Sequence, residues 1–274
     1  MKPKRVVAIS DMHAGHRAGL TPPLWQLRPA LDDDETSDVA RRRIEKWVDL
    51  QGECWQWFAR EIKALQPIDL LIVNGDCIDG TGHHSGGTEL ITADRVQQTS
   101  MACYIIGFCK AKRIEMVRGT GYHTGQEEDW EDGIAEQVGA TIGDHQWPEV
   151  NGVTFDVKHF IGASGIPHGR ATALLRDDLW NALWHENGEQ PRADILLRAH
   201  VHYHIYTGGI RNGKPYLLMT MPALQAMGTK FGARKCSGRM DFGFVHFDID
   251  SKGNYQWQPH VADIRAQKAQ SSKL

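Results

Sequence analysis

The sequence predicts a mixed α/β fold built on a layered sheet core. Three observations carry that expectation. Short β-branched runs alternate with longer segments of helical periodicity up to about residue 200. These runs end in polar or glycine-rich clusters. Beyond them, paired apolar runs are joined by Asn-Gly and Gly-Asn turns, which read as antiparallel hairpins. Strand–helix alternation followed by hairpins is the pattern of sheets layered with helices.

The elements follow in order. "RVVAISD" (5–11) is a short β-branched run ending in polar residues, hence a buried strand. Residues 14–38 are rich in Pro, Gly and acidic residues and read as a loop. Over 39–65, Ile44, Trp47, Val48, Cys54, Trp55, Phe58, Ile62 and Leu65 recur at helical spacing, with Gly52 as a point of weakness or bending. "DLLIVNGD" (69–76) is a second buried strand and "GTGHHSGG" (80–87) a glycine-rich loop. A helix is expected over 91–112, a strand over 113–119, and a helix over 126–140 with acidic residues in its first turn. Then come a strand over 153–160, a helix over 170–186 and a strand over 193–200. The expected organisation is a single domain over 1–265 and a polar tail over 266–274.

Bulk properties set the class. The chain has 274 residues and a formal net charge of −3, so net charge gives no reason to expect tight, non-specific binding to DNA or membranes. Five cysteines (Cys54, Cys77, Cys103, Cys109, Cys236) without C-x-x-C spacing disfavour a disulfide framework or a structural zinc site. A reducing cytoplasm is the simplest compartment. The apolar run near residue 5 is too short for a signal peptide, and no apolar stretch is long enough to span a bilayer.

The chemistry gathers where strands end. "SDMHAG" places Asp11 and His13 two residues apart, on one side of the chain if it is extended there. "NGDCID" supplies Asp76 and Asp79, "VKHF" supplies His159, and "RAHVHYH" supplies His200 and His202. Groups at the carboxyl ends of successive strands converge on one crevice in open α/β sheets. Mixed carboxylate and imidazole donors suit Mn, Fe, Zn or Ni better than Ca or Mg. Six donors are enough for two ions, since one carboxylate can bridge with its two oxygens.

This ordered set is Asp-x-His, Gly-Asp-x-x-Asp, a glycine-rich turn carrying a histidine, a histidine after a strand, then His-x-His. It resembles the calcineurin-like metallophosphoesterase family, over residues 11–202. The resemblance implies a two-sheet β-sandwich flanked by helices and a dinuclear centre of divalent metal ions, Mn first, with Fe, Zn or Ni as alternatives. It implies Asp11, His13 and His202 at the first metal, His159 and His200 at the second, and Asp76 as the bridge. A hydroxide held between the ions would attack a phosphoric ester, a phosphodiester before a monoester. His123, in "RGTGYHTG" (118–125), would steady the phosphoryl group and help the leaving group depart.

That stretch departs from the family, whose turn reads Gly-Asn-His-Asp/Glu with the asparagine on the second metal. Here Thr120, Tyr122, water or nothing takes its place, and the second metal is expected to be held more loosely. Other positions stay open. Asp79 reads equally as a group orienting a ligand histidine or as a solvated acid. His168 competes with His159, and His204 continues the His200–His202 alternation. His83 and His84 read as a solvated loop, Lys158, Arg118 and Arg170 as surface charges able to meet phosphate, and Trp-rich 47–57 as core. Cys77 reads as a small buried residue. Two other functions compete: a DNA or RNA nuclease, which needs a basic groove, and a non-catalytic scaffold of the same fold. No membrane partner is expected, and the oligomeric state is not legible.

Overall fold

The structure is a computed structural model that describes residues 2–29, 38–82, 85–125, 129–228 and 240–266. His83, His84 and Cys236 lie outside the described residues. So does the expected tail, except Ala266, whose N–H donates to Met227 O at 2.9 Å.

Eleven strands form two sheets among the described residues. The first holds β1 (Lys4–Ile9), β2 (Ile68–Asn74), β3 (Ala111–Val117), β4 (Thr141–Gly143), β10 (Phe242–Ile249) and β11 (Tyr255–Ala262), in the order β11-β10-β1-β2-β3-β4. The second holds β5 (Glu149–Val150), β6 (Val153–Val157), β7 (Ile195–Arg198), β8 (Ile205–Arg211) and β9 (Lys214–Thr220), in the order β5-β6-β7-β9-β8. β1 through β4 pair in parallel, as do β6, β7 and β9, while the two late hairpins β8–β9 and β10–β11 are antiparallel. The helices are α1 (Asp38–Leu65), α2 (Arg95–Phe108), α3 (Gly121–Thr124), α4 (Trp130–Val138) and α5 (Arg170–Glu186).

The period-2 alternation of the buried strands explains the layers. Val7, Ile9, Leu71 and Val73 pack against Phe58, Ile62, Met101, Ile105 and Ile134 of the helices on one side. Val6, Ala8, Leu70 and Ile72 face the second sheet and meet Phe155, Val157, Ile195, Leu197 and Met219, with the Phe155 and Phe247 rings 5.2 Å apart. A smaller cluster of Leu174, Leu196 and Leu218 seats α5 on the outer face of the second sheet. The expected two-sheet sandwich flanked by helices is therefore observed.

Element bounds differ from the sequence reading mainly at the ends. β2 stops at Asn74 and β7 at Arg198, so the chemistry-bearing residues lie in loops just past the strands. Gly52 does not interrupt α1, because core residues on both sides of it hold the helix. Among the described residues, no helix is long and apolar enough to cross a membrane.

Candidate metal centre

The parallel strands of both sheets deliver their carboxyl ends to one edge, and hydrogen bonds across that edge join the sheets. His159 Nδ1 donates to Asn74 O at 2.7 Å and His200 N to Asp11 Oδ1 at 3.2 Å, while within the second sheet Ala199 N donates to His159 O at 2.8 Å. The loop after β1 locks to the loop after β2 through Asp11 N to Gly75 O and His13 N to Asp76 O, both 3.0 Å.

The local backbone corrects one expectation. Asp11 and His13 are not extended: their φ angles are 49° and 43°. Asp76 (50°), His200 (71°) and His202 (55°) share this left-handed conformation, which costs a non-glycine residue roughly 1–2 kcal/mol. Five of the eight described non-glycine residues with positive φ are thus in this one cluster; the others, Lys110, Asn151 and Asn212, are elsewhere. Such strain persists only where the surroundings over-determine it, here through the backbone bonds above.

Seven residues named from the sequence meet at this edge. Ligating atoms lie within 4.8 Å of one another in each of three groups: Asp11, His13 and His202; His13, Asp76 and His123; and Asp76, His159 and His200. Asp76 belongs to two groups, and so does His13. Asp11, His13, Asp76 and His159 are buried, while His123, His200 and His202 are partly open. His168 is exposed on a 3-10 turn and His204 Nδ1 donates to Thr220 O at 2.8 Å, so neither competitor joins the cluster.

The donor chemistry fits a cation. A backbone carbonyl can only accept, so His159 carries a proton on Nδ1 toward Asn74, and the neutral ring has its lone pair on Nε2. That Nε2 lies 3.0 Å from Asp76 Oδ2 yet makes no hydrogen bond, and buried Asp11 Oδ2 has no partner either. His13 Nδ1 lies 3.0 Å from Asp79 Oδ1, which leaves His13 Nε2 3.2 Å from His202 Nε2; the latter is 3.1 Å from Asp11 Oδ1. Lone pairs turned toward one another in a buried site call for positive charge between them.

The electrostatics agree in sign. Burial disfavours the His159 imidazolium, but the Asp76 and Asp11 carboxylates outweigh it and push the ring up to about 10. Burial raises Asp76 and Asp11, yet the neighbouring histidines, His159 and His202 respectively, hold both below the ordinary carboxylate value. His123 is lowered by burial and by His13, and His200 by burial and by His159.

Around this set, Asp79 is an orienting group and not a solvated acid: its carboxylate meets His13, and its carbonyl accepts from His123 Nδ1 at 3.0 Å. Thr120, one candidate for the place of the missing asparagine, meets Asp76. Its N–H donates to Asp76 Oδ1 at 2.7 Å, and its hydroxyl lies 3.0 Å and 3.3 Å from the two Asp76 oxygens. Tyr122 packs edge-on against the His123 ring, with centroids 4.7 Å apart. Two glycines permit these approaches. A β-carbon on Gly75 would stand 2.5 Å from His159 Nδ1, and one on Gly119 would come under 3.0 Å from Asp76 N and Oδ1.

Sequence reasoning missed Glu131. Its buried carboxylate accepts from Cys77 N at 2.7 Å and Gly119 N at 2.6 Å, bracing the loops after β2 and β3, and burial pushes it up to about 7. In sequence it is one more acid in a helix first turn, a common helix-dipole feature. Arg118 pairs with Asp132 and Asp144, and the Arg170 guanidinium lies 4.1 Å over the Tyr203 ring. Lys158 is exposed. Trp55 is buried with Trp47 and Trp57 packed on the same core, and burial raises the Cys77 thiol well above its ordinary range.

No protein-family model matches this chain, and no curated protein matches it. Solved structures of similar shape include Vps29 of Chaetomium thermophilum, with 10% identity and TM-score 0.41 over 94% of this chain and 97% of the other. A metallophosphoesterase from Sphaerobacter thermophilus has 10% identity and TM-score 0.39 over 95% and 89%. The purple acid phosphatase PPD1 of yellow lupin has 12% identity and TM-score 0.48 over 94% of this chain but only 51% of its own. Two mixed sheets flanked by helices, with Asp/His groups past the strand ends, are the architecture that the sequence resemblance implies.

Proposed function

We propose that the protein is a metal-dependent hydrolase of phosphoric esters, with two divalent ions shared across Asp76. The observation that supports this most directly is the run of three overlapping histidine-and-carboxylate groups, the first two sharing His13 and the last two Asp76, with lone-pair atoms facing one another. Asp11, His13 and His202 would hold one ion, His159 and His200 the other, and Asp76 both. Bound there, divalent ions supply Lewis acidity at phosphoryl oxygens and lower the pKa of water. Mn, first among the ions the sequence resemblance implies, is the ion for the test, with Fe, Zn or Ni as alternatives.

The chain's own residues do the rest. Asp79 and the Asn74 carbonyl fix the tautomers of His13 and His159, and Thr120 fixes the rotation of Asp76. His123 keeps one proton on Nδ1 toward Asp79 O. A second proton on Nε2 makes it a cation beside the phosphoryl group and a donor to the leaving alkoxide. Burial and His13 make that second proton easier to release. Thr120 offers a hydroxyl where the family has an amide, so the second ion has the poorer donor set and is expected to be lost first on dialysis.

A diester is the preferred substrate. It carries one negative charge where a monoester carries up to two, and Arg118 is already paired with Asp132 and Asp144 while Arg170 stacks over Tyr203. The test is Mn-dependent hydrolysis of bis-p-nitrophenyl phosphate compared with p-nitrophenyl phosphate and single-stranded DNA, with Asp76→Asn as control. Diester turnover abolished by Asp76→Asn is expected; preference for the polynucleotide would make it a nuclease. No turnover with any divalent ion would leave a scaffold of this fold. His123→Ala should lower turnover by about a hundredfold or more while metal affinity changes little. Equal losses in both would make His123 a ligand.

A further inference from the structure

Helix α5 carries its apolar residues on the wrong side. Of its seventeen residues only Leu174 and Asn181 are buried, and the cluster beneath it is small. Its other large side chains point outward: Leu175, Leu179, Trp180, Leu183 and Trp184 are 49, 59, 52, 46 and 37% exposed. These positions recur at intervals of four (175, 179, 183 and 180, 184), so they form two adjacent ridges on one helix face. Together they expose on the order of 500 Å² of side-chain surface, at the upper end of the apolar patches found on soluble monomers. Two such faces pressed together would supply the apolar centre of an interface of roughly 800 Å² per partner, the size of a stable complex.

The charges at the ends of the stripe select the occupant. Arg176, one turn before Trp180, is exposed and makes only a loose 3.8 Å approach to Asp177, whose carboxylate already accepts from Arg198. Glu186, three residues beyond Leu183, is exposed at the other end. A second α5 laid antiparallel about a two-fold axis between Leu179 and Trp180 would set Leu175 against Trp184 and bring Arg176 within reach of Glu186 of the other copy, twice by symmetry. Antiparallel helix dipoles favour the same arrangement.

We propose that this face binds a second copy of the chain, forming a two-fold dimer through antiparallel α5 helices. This is independent of the reaction proposed above. The test is sedimentation velocity of the full chain from about 1 to 100 µM. Twice the chain mass is expected for the native protein. The chain mass is expected for Leu179→Glu/Trp180→Glu, whose circular dichroism should stay native because neither side chain is part of the core. Arg176→Glu should weaken the dimer on the order of tenfold, and Arg176→Glu/Glu186→Arg should restore it. A native protein that stays at chain mass throughout, as it would if another partner covers this face, overturns the proposal. So does a dimer that survives the double glutamate substitution, or a charge reversal that the swapped pair fails to rescue.

Discussion

Replacing Gly119 by alanine tests the packing logic of the centre with one methyl group. The added β-carbon would come under 3.0 Å from Asp76 N and Oδ1, where ordinary van der Waals separation is roughly 3.5 Å or more. Asp76 or the 118–125 loop must therefore retreat by about half an ångström or more. Neither has an easy route. Asp76 is held by His13 N and by Thr120, and Gly119 by the Glu131 carboxylate. Overpacking of this kind costs roughly 1–3 kcal/mol. Moving a shared ligand that far should also weaken metal binding by about 10–100-fold, as disturbing a ligand's supports commonly does. Gly121, two residues on, is the internal control. A β-carbon there meets nothing within 4 Å, and alanine at a helical position is neutral or stabilising by up to about 1 kcal/mol. Urea unfolding gives the stability change, and calorimetric titration with Mn gives the affinity. If Gly119→Ala matches Gly121→Ala in both, the close approach of this loop to Asp76 is not what shapes the site.

Two further outcomes follow. Asp79→Ala removes the acceptor that holds His13 Nδ1, and should weaken metal binding by about 10–100-fold with the unfolding midpoint changed far less; an unchanged titration curve would return Asp79 to the status of a loop acid. Away from the centre, burial raises Asp69, but its bonds to Lys112, Arg5 N and Lys4 outweigh this and hold it at about 2. Because the folded value lies below the unfolded value near 3.9, this stabilisation is complete above about pH 4 and is lost as the pH falls toward 2. Discounted for solvent screening, Asp69→Asn should cost about 1 kcal/mol at pH 7 and progressively less as the pH falls through 2, read from urea midpoints across that range. A difference as large at pH 2 as at pH 7 would contradict the assignment.

The sequence made the cluster legible through residue type and order, because donors had to follow successive strands in one direction. Asp11, Asp76, His159, His200 and His202 each stand within a few residues of a strand's carboxyl end, and parallel pairing brings those ends together. Contacts closed only by folding were not legible. Glu131 acts on Cys77 N and Gly119 N, 54 and 12 residues away, and nothing local separates it from its acidic neighbours. The N–H and hydroxyl of Thr120 meet Asp76, 44 residues away, a contact that no local pattern announces.

The Asp-x-His spacing led to two residues that do come together, but not through an extended chain, and the difference is physical. An extended chain advances roughly 6.6–6.8 Å over two residues, and side chains standing parallel on one face stay about that far apart. The donors of one ion must lie closer, and here those of Asp11, His13 and His202 fall within 4.8 Å. A left-handed turn at Asp11 and again at His13 draws the chain back on itself, and His200 and His202 repeat the device in the second sheet. A spacing of two is therefore useful here because two residues suffice for a tight double turn. The strain of that turn is stored where donors must crowd together, which is also where a bound cation would return the most energy.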